Sequence, residues 1–222
     1  MTTAVGHPDE VAVEHFTREG AGRFFPETAS GTALTLASFS LTVALLSLIN
    51  IGWLKADTTG IVIPVAYGYG SLAALVGGIW EFRANSLFGA TLCVSFGCFW
   101  ATTGLVLQFF APQVIKASGA DAFGQTFGTY LILWGVFAAY MTVGAYFIVK
   151  PAFLTLTLVT ALLFVLGMSN IVGGDFGHSL RMFGGILGIG AALVSWYLSA
   201  ALVINSTSGR ALLPIWPYSP RS

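Results

Sequence analysis

Residues 31–54 read GTALTLASFSLTVALLSLINIGWL. No Asp, Glu, Lys, Arg or His interrupts them. As an α-helix, the run extends past the ~30 Å of hydrocarbon in a bilayer. Five more uncharged apolar runs follow, at 61–80, 90–110, 127–149, 152–172 and 182–204. Charge collects between them: Lys55 and Asp57, Glu81 and Arg83, Lys116 and Asp121, Lys150, then Asp175, His178 and Arg181. A membrane β-barrel needs short alternating segments, and these runs are continuous. The expected fold is an all-α membrane protein with six transmembrane helices.

Composition points the same way. Of 222 residues 56% are hydrophobic and 8% charged, against about 25% charged in a soluble domain. An ordinary water-soluble globule is excluded. Nine basic and nine acidic residues cancel, so no nucleic acid is expected as a partner. The bilayer is. Cys93 and Cys98 stand about 140° apart around a helix and read as small buried residues.

Five of the nine acidic residues, Asp9, Glu10, Glu14, Glu19 and Glu27, precede the first run. Without a basic start and apolar core this stretch is no secretory signal. The division is therefore a polar tail over 1–29, a six-helix domain over 30–204 and a C-terminal tail over 205–222. Six spans put both tails on one side, with Arg18, Arg23, Arg83, Lys150, Arg210 and Arg221 against Lys55, Lys116 and Arg181 on the other. The positive-inside rule makes the tails cytoplasmic. Small residues recur every fourth position at Ala66, Gly70, Ala74 and Gly78, at Cys93, Gly97 and Ala101, and at Gly184, Gly188 and Ala192. They are close-packing seams, some of them expected to join subunits.

Enzyme constellations are missing. His7, His15 and His178 stand apart from any triad or ligand spacing, so no catalytic residue, metal or cofactor is expected. Tyr67-Gly68-Tyr69-Gly70 resembles a potassium filter only superficially, since it lies inside a full-length span. Asn205-Ser206-Thr207 fits a glycosylation pattern but falls on the cytoplasmic side.

Neutral polarity inside the spans is the informative signal. At 100° per residue, Thr35, Ser38, Phe39, Thr42 and Asn50 fall within an arc of about 120°. Thr155, Val159 and Asn170 share a narrower arc, and Phe96 and Thr103 share a face. These residues are candidates to line a path. The competing reading is that the hydroxyls bond their own helix backbone. With no ionisable residue in mid-span, no proton relay or voltage sensor is built in. A path for a small solute that is neutral, or becomes so while crossing, remains.

The motifs add a resemblance over about residues 30–214. Glu81-Phe82-Arg83-Ala84-Asn85-Ser86-Leu87-Phe88-Gly89-Ala90-Thr91 is followed by Ser95-Phe96-Gly97-Cys98-Phe99-Trp100. Asn50-Ile51-Gly52-Trp53, Leu133-Trp134-Gly135-Val136-Phe137, Gly167-Met168-Ser169-Asn170-Ile171 and Gly209-Arg210-Ala211-Leu212-Leu213-Pro214 accompany them. The set resembles the acetate uptake transporter family, the acetate and succinate permeases of bacteria and fungi. The family pattern N-P-A-P-L-G-L-x-x-F aligns with residues 30–39, where the leucines and Phe39 remain but the leading Asn, both prolines and the central Gly do not. Ala84 replaces a family Gly.

The resemblance implies a hexameric ring in the cell membrane, with one path per protomer and a hydrophobic waist at Phe39, Phe96 and Val159. It implies transport of acetate and other short monocarboxylates, with succinate a further substrate, by a channel or by proton symport. The hydroxyls of Thr35, Thr42, Thr103 and Thr155 and the amides of Asn50 and Asn170 can then donate to the carboxylate; alternatively, and favoured because no relay residue sits in mid-span, the solute is protonated at the mouth or travels together with its proton. Glu81 is a candidate to exchange the proton, or else a salt bridge or cap near Arg83. An amide or urea channel of similar six-helix hexameric design is the alternative, with a non-transporting membrane sensor beyond it.

Overall fold

The computed structural model describes residues 29–218. Asp9, Glu10, Glu14, Glu19 and Glu27 of the acidic tail, with His7, His15, Arg18, Arg23 and Arg221, lie outside the described residues. Six helices are long and apolar enough to cross a membrane: α1 (Thr32–Asn50), α2 (Ala56–Arg83), α3 (Leu87–Ser118), α4 (Ala120–Ala145), α5 (Lys150–Val172) and α6 (Gly174–Ser208).

Several helices run further than the apolar stretches do. The end of α3 and the start of α4 carry Lys116 and Asp121 as continuous helix, because a helical backbone stays hydrogen-bonded wherever its side chains reach water. The breaks fall where glycine takes a left-handed backbone: Gly119 at φ +89° between α3 and α4, and Gly173 at +63° between α5 and α6. Asp175, His178 and Arg181 accordingly sit in the first turns of α6, not in a loop. Two helices widen locally to π geometry, α2 over Ala66–Ser71 and α3 over Val106–Phe110. In α3 the widening directly precedes Pro112, which has no N–H to continue an α-helical ladder.

Each helix packs on two neighbours in the circular order α1, α2, α3, α4, α5, α6. Small residues set the distances, and the seams expected from sequence lie within the protomer. A methyl group at Gly78 would meet the Val94 backbone of α3, and one at Gly184 would meet Leu166 of α5. Helix α1 is held at both ends. Near its start Gly31 crosses Gly77 of α2 backbone to backbone, and near its end Gly185 and Gly188 of α6 leave no room beyond Asn50, Ile51 and Ser47. Along the same interface Ser195 and Ser199 of α6 donate to the α1 carbonyls of Leu36 (3.2 Å) and Ala33 (2.7 Å).

After α6 the chain folds back over the same end of the bundle. Asn205 donates to Leu213 O at 2.7 Å and accepts from Leu212 N and Leu213 N. Its amide is thus committed to the fold, which closes the glycosylation pattern for a structural reason as well. Val149 and Pro217 then form an isolated antiparallel bridge.

Gly185→Leu is expected to force α6 off α1 and cost about 1–3 kcal/mol, the usual range for overpacking, seen as a lowered unfolding midpoint in detergent. Gly68→Ala, where nothing lies within 4 Å of the added methyl, leaves the midpoint in place.

Candidate functional site

The path candidates sit on α1, α3 and α5. The Phe39 ring meets the Phe96 ring edge to face, with centroids 5.9 Å apart at 72°. Val159 belongs to the same buried cluster. Phe39, Phe96 and Val159 are 9, 5 and 2% exposed, so all three expected waist residues are buried inside the bundle. Phe96 is also a hub that the sequence alone does not reveal. Phe99, Trp134 and Phe137 surround it at 5.8–6.3 Å. Edge-to-face contacts of this kind fix ring orientation.

The hydroxyls flank this cluster, and most of their protons are already used. Thr35 donates to Gly31 O (3.2 Å), Ser38 to Thr35 O (2.9 Å) and Thr42 to Ser38 O (2.8 Å). Of the two readings for the α1 stripe, back-bonding to the helix is the one observed. Each of these oxygens therefore presents a lone pair to its surroundings, and the donation to a carboxylate expected of Thr35 and Thr42 would require these bonds to be given up. Thr103 shares a 3.0 Å bond with the Tyr130 hydroxyl, which also reaches Thr102 at 2.8 Å. Thr155, one turn before Val159, differs. Its hydroxyl oxygen is buried with no hydrogen-bond partner, as are the Tyr67 hydroxyl and the Trp100 indole N–H. A donor left unmet in an apolar interior is costly, and Thr155 stands beside this cluster.

The two asparagines part company. Asn170 donates to Leu166 O of its own helix at 2.8 Å, so it is not an interhelical clasp. Asn50 lines a cavity of about 520 Å³ at the end of α1, together with Lys55, Asp57, His178 and Arg181.

Glu81 marks the opposite end. It is 3% exposed, and one oxygen, Oε1, accepts from Ser30 Oγ (2.6 Å), Thr32 N (3.0 Å) and Thr32 Oγ1 (2.9 Å). The carboxylate caps the first turn of α1 from a neighbouring helix, where the positive end of the helix dipole favours it. Arg83 is not its partner, since that guanidinium lies 5.4 Å over the Trp80 ring. Gly89 makes the room, because a methyl there would run into Glu81 Oε2 and Ser86 Oγ. The turn after α2 puts Asn85 at φ +58°, whereas Ala84 is right-handed at φ −79°. Alanine is thus unstrained where the family carries Gly.

Six helices long and apolar enough to cross a membrane, packed around a buried aromatic cluster, fit a multi-pass membrane protein of the channel or carrier class. The chain belongs to the GPR1/FUN34/yaaH family, whose model matches residues 22–218. Acetate permease A of Emericella nidulans is 31% identical over 86% of this chain and 68% of its own length. The succinate-acetate/proton symporter SatP of Escherichia coli is 33% identical over 84% of this chain and 95% of its own. A solved structure of the bacterial acetate channel SatP superposes with a TM-score of 0.74 at 31% identity, covering 84% of this chain and 98% of that one.

Removing the cap has a readable cost. Glu81→Ala is expected to destabilise the protein by about 1–3 kcal/mol, the range for stranding buried hydrogen-bond donors. Glu81→Gln, which keeps an acceptor oxygen, recovers most of it. Thermal unfolding in detergent measures both.

Proposed function

We propose that this protein moves acetate and other short monocarboxylates across the cell membrane, with both termini cytoplasmic and one path per protomer of a hexameric ring. Succinate, carried by the SatP relative, is a further substrate. The reading makes the chain a transporter without catalytic residues. The polar tail at 1–29 and the C-terminal segment at 205–222 flank its six-helix domain.

One observation carries the mechanism. From Thr35 to Thr42 the α1 hydroxyls beside Phe39 have given their protons to α1 carbonyls. Their lone pairs repel a carboxylate and accept from a carboxylic acid. Carrying the bare anion past Phe39, Phe96 and Val159 costs several kcal/mol of desolvation, on the scale of an unpaired buried ion. The same solute as a neutral acid presents an O–H to those lone pairs, and its carbonyl oxygen can accept from Thr155, the free donor on α5. Acetate therefore crosses with its proton, in keeping with symport.

Glu81 is read here as the anchor of α1 instead of the proton exchanger, because its Oε1 already accepts three bonds. The proton then joins the solute at the mouth. The waist sets the size limit, and Val159, small beside two phenyl rings, leaves the slack that admits chains longer than acetate.

Two experiments test this. A carboxylic acid with a pKa near 4.3 is about 30-fold more abundant in its neutral form at pH 5.5 than at pH 7. Protein-dependent acetate uptake into liposomes is accordingly expected to rise steeply on acidification, while urea uptake stays at the level of empty vesicles. Urea flux matching acetate flux would favour the amide channel. Second, Phe39→Ala is expected to raise the ratio of butyrate to acetate uptake by opening the waist. An unchanged ratio removes Phe39 from it.

A further inference from the structure

The cavity that Asn50 lines holds more than the waist reading uses. Lys55 and Asp57 come from the α1–α2 connection, His178 and Arg181 from the first two turns of α6. Close packing brings them together. Gly185 sits against Asn50 and Ile51, so the preceding turn of α6, with Arg181, meets the end of α1. Gly52, at φ +79°, turns the chain there, while Gly52, Trp53 and Leu54 cap the last α1 carbonyls, and the connection carrying Lys55 is thereby fixed.

The charges do not cancel. No ion pair forms among the described residues of this cavity, and two permanent cations face a single carboxylate across a space of about 520 Å³. Among the described residues the Asn50 amide has no hydrogen-bond partner. His178 contributes a ring N–H donor. A cavity with surplus positive charge, cations from two different elements and an amide in its lining, none of them paired among the described residues, suits a small anion.

The geometry points to this vestibule as a collecting site for short carboxylates in their anionic form, held between Lys55 and Arg181 with the Asn50 amide as a further donor, ahead of protonation and passage through the waist. The inference rests on the transport reading and deepens it. It assigns to the end of the path opposite Glu81 the task of concentrating a solute that is almost wholly ionised at neutral pH.

The test is acetate uptake at pH 7 by cells that lack their own acetate uptake and express the full chain. In the double variant Lys55→Gln with Arg181→Gln, KM is expected to rise roughly tenfold, the low end for a focused field, with the maximal rate within about twofold per molecule of surface protein. Lys55→Arg with Arg181→Lys keeps KM near that of the unaltered protein, and Asp57→Asn lowers it. Raising ionic strength increases KM for the unaltered protein but not for the neutralised one. A neutralised variant with unchanged KM overturns the inference. So does a maximal rate that falls with no change in KM and is not restored by the charge-retaining pair. Failure of the unaltered protein to take up acetate at all overturns the transport reading instead.

Discussion

Inside a bilayer no water meets a stray hydrogen-bonding group, so a polar atom without a partner in the protein is costly and few are left so. On α1 this constraint decides the character of the proposed path. Thr35, Ser38 and Thr42 turn their protons back to carbonyls of their own helix. Ser195 and Ser199 of α6 spend theirs on the α1 carbonyls of Leu36 and Ala33. Beside Phe39 the α1 surface is polar yet offers acceptors alone. A surface of that kind suits a solute that brings its own proton.

The same helix is anchored at both ends. Glu81 caps its start, Gly31 and Gly77 let it cross α2 at backbone contact, and Gly185 and Gly188 seat its end against α6. A rigid α1 matters because its Phe39 ring closes on Phe96, and the Phe96 ring is in turn fixed by Phe99, Trp134 and Phe137. A waist made of locked rings discriminates by size. The division of labour proposed here follows from chemistry at each level: cations gather the anion at the vestibule, and the waist passes the acid.

Much of this was legible in the sequence. Six uncharged runs announced the six spans, because hydrophobic length is what a bilayer demands. Helical geometry gathered Thr35, Ser38, Phe39 and Thr42 on one stripe, and the family resemblance joined Phe39 to Phe96 and Val159. Partners were less legible. Nothing in the order of residues reveals that Glu81 reaches Ser30 and Thr32 across some fifty positions, or that Arg83 turns to Trp80. Asn170 looked equivalent to Asn50, sharing the same stripe geometry, until Leu166 O claimed its amide. The vestibule was hidden for another reason. Lys55, His178 and Arg181 read as loop charges because the apolar run that marks the last span begins at 182, after the helix has already made two turns.

The central claim, passage as the neutral acid through a waist lined by acceptors, is tested most directly by following proton and acetate together in proteoliposomes clamped at zero and at large membrane potential. The account predicts that protein-dependent acetate entry acidifies the lumen by one proton per acetate and ignores the potential. Acetate entry that is driven by voltage and leaves the lumen pH unchanged would contradict it.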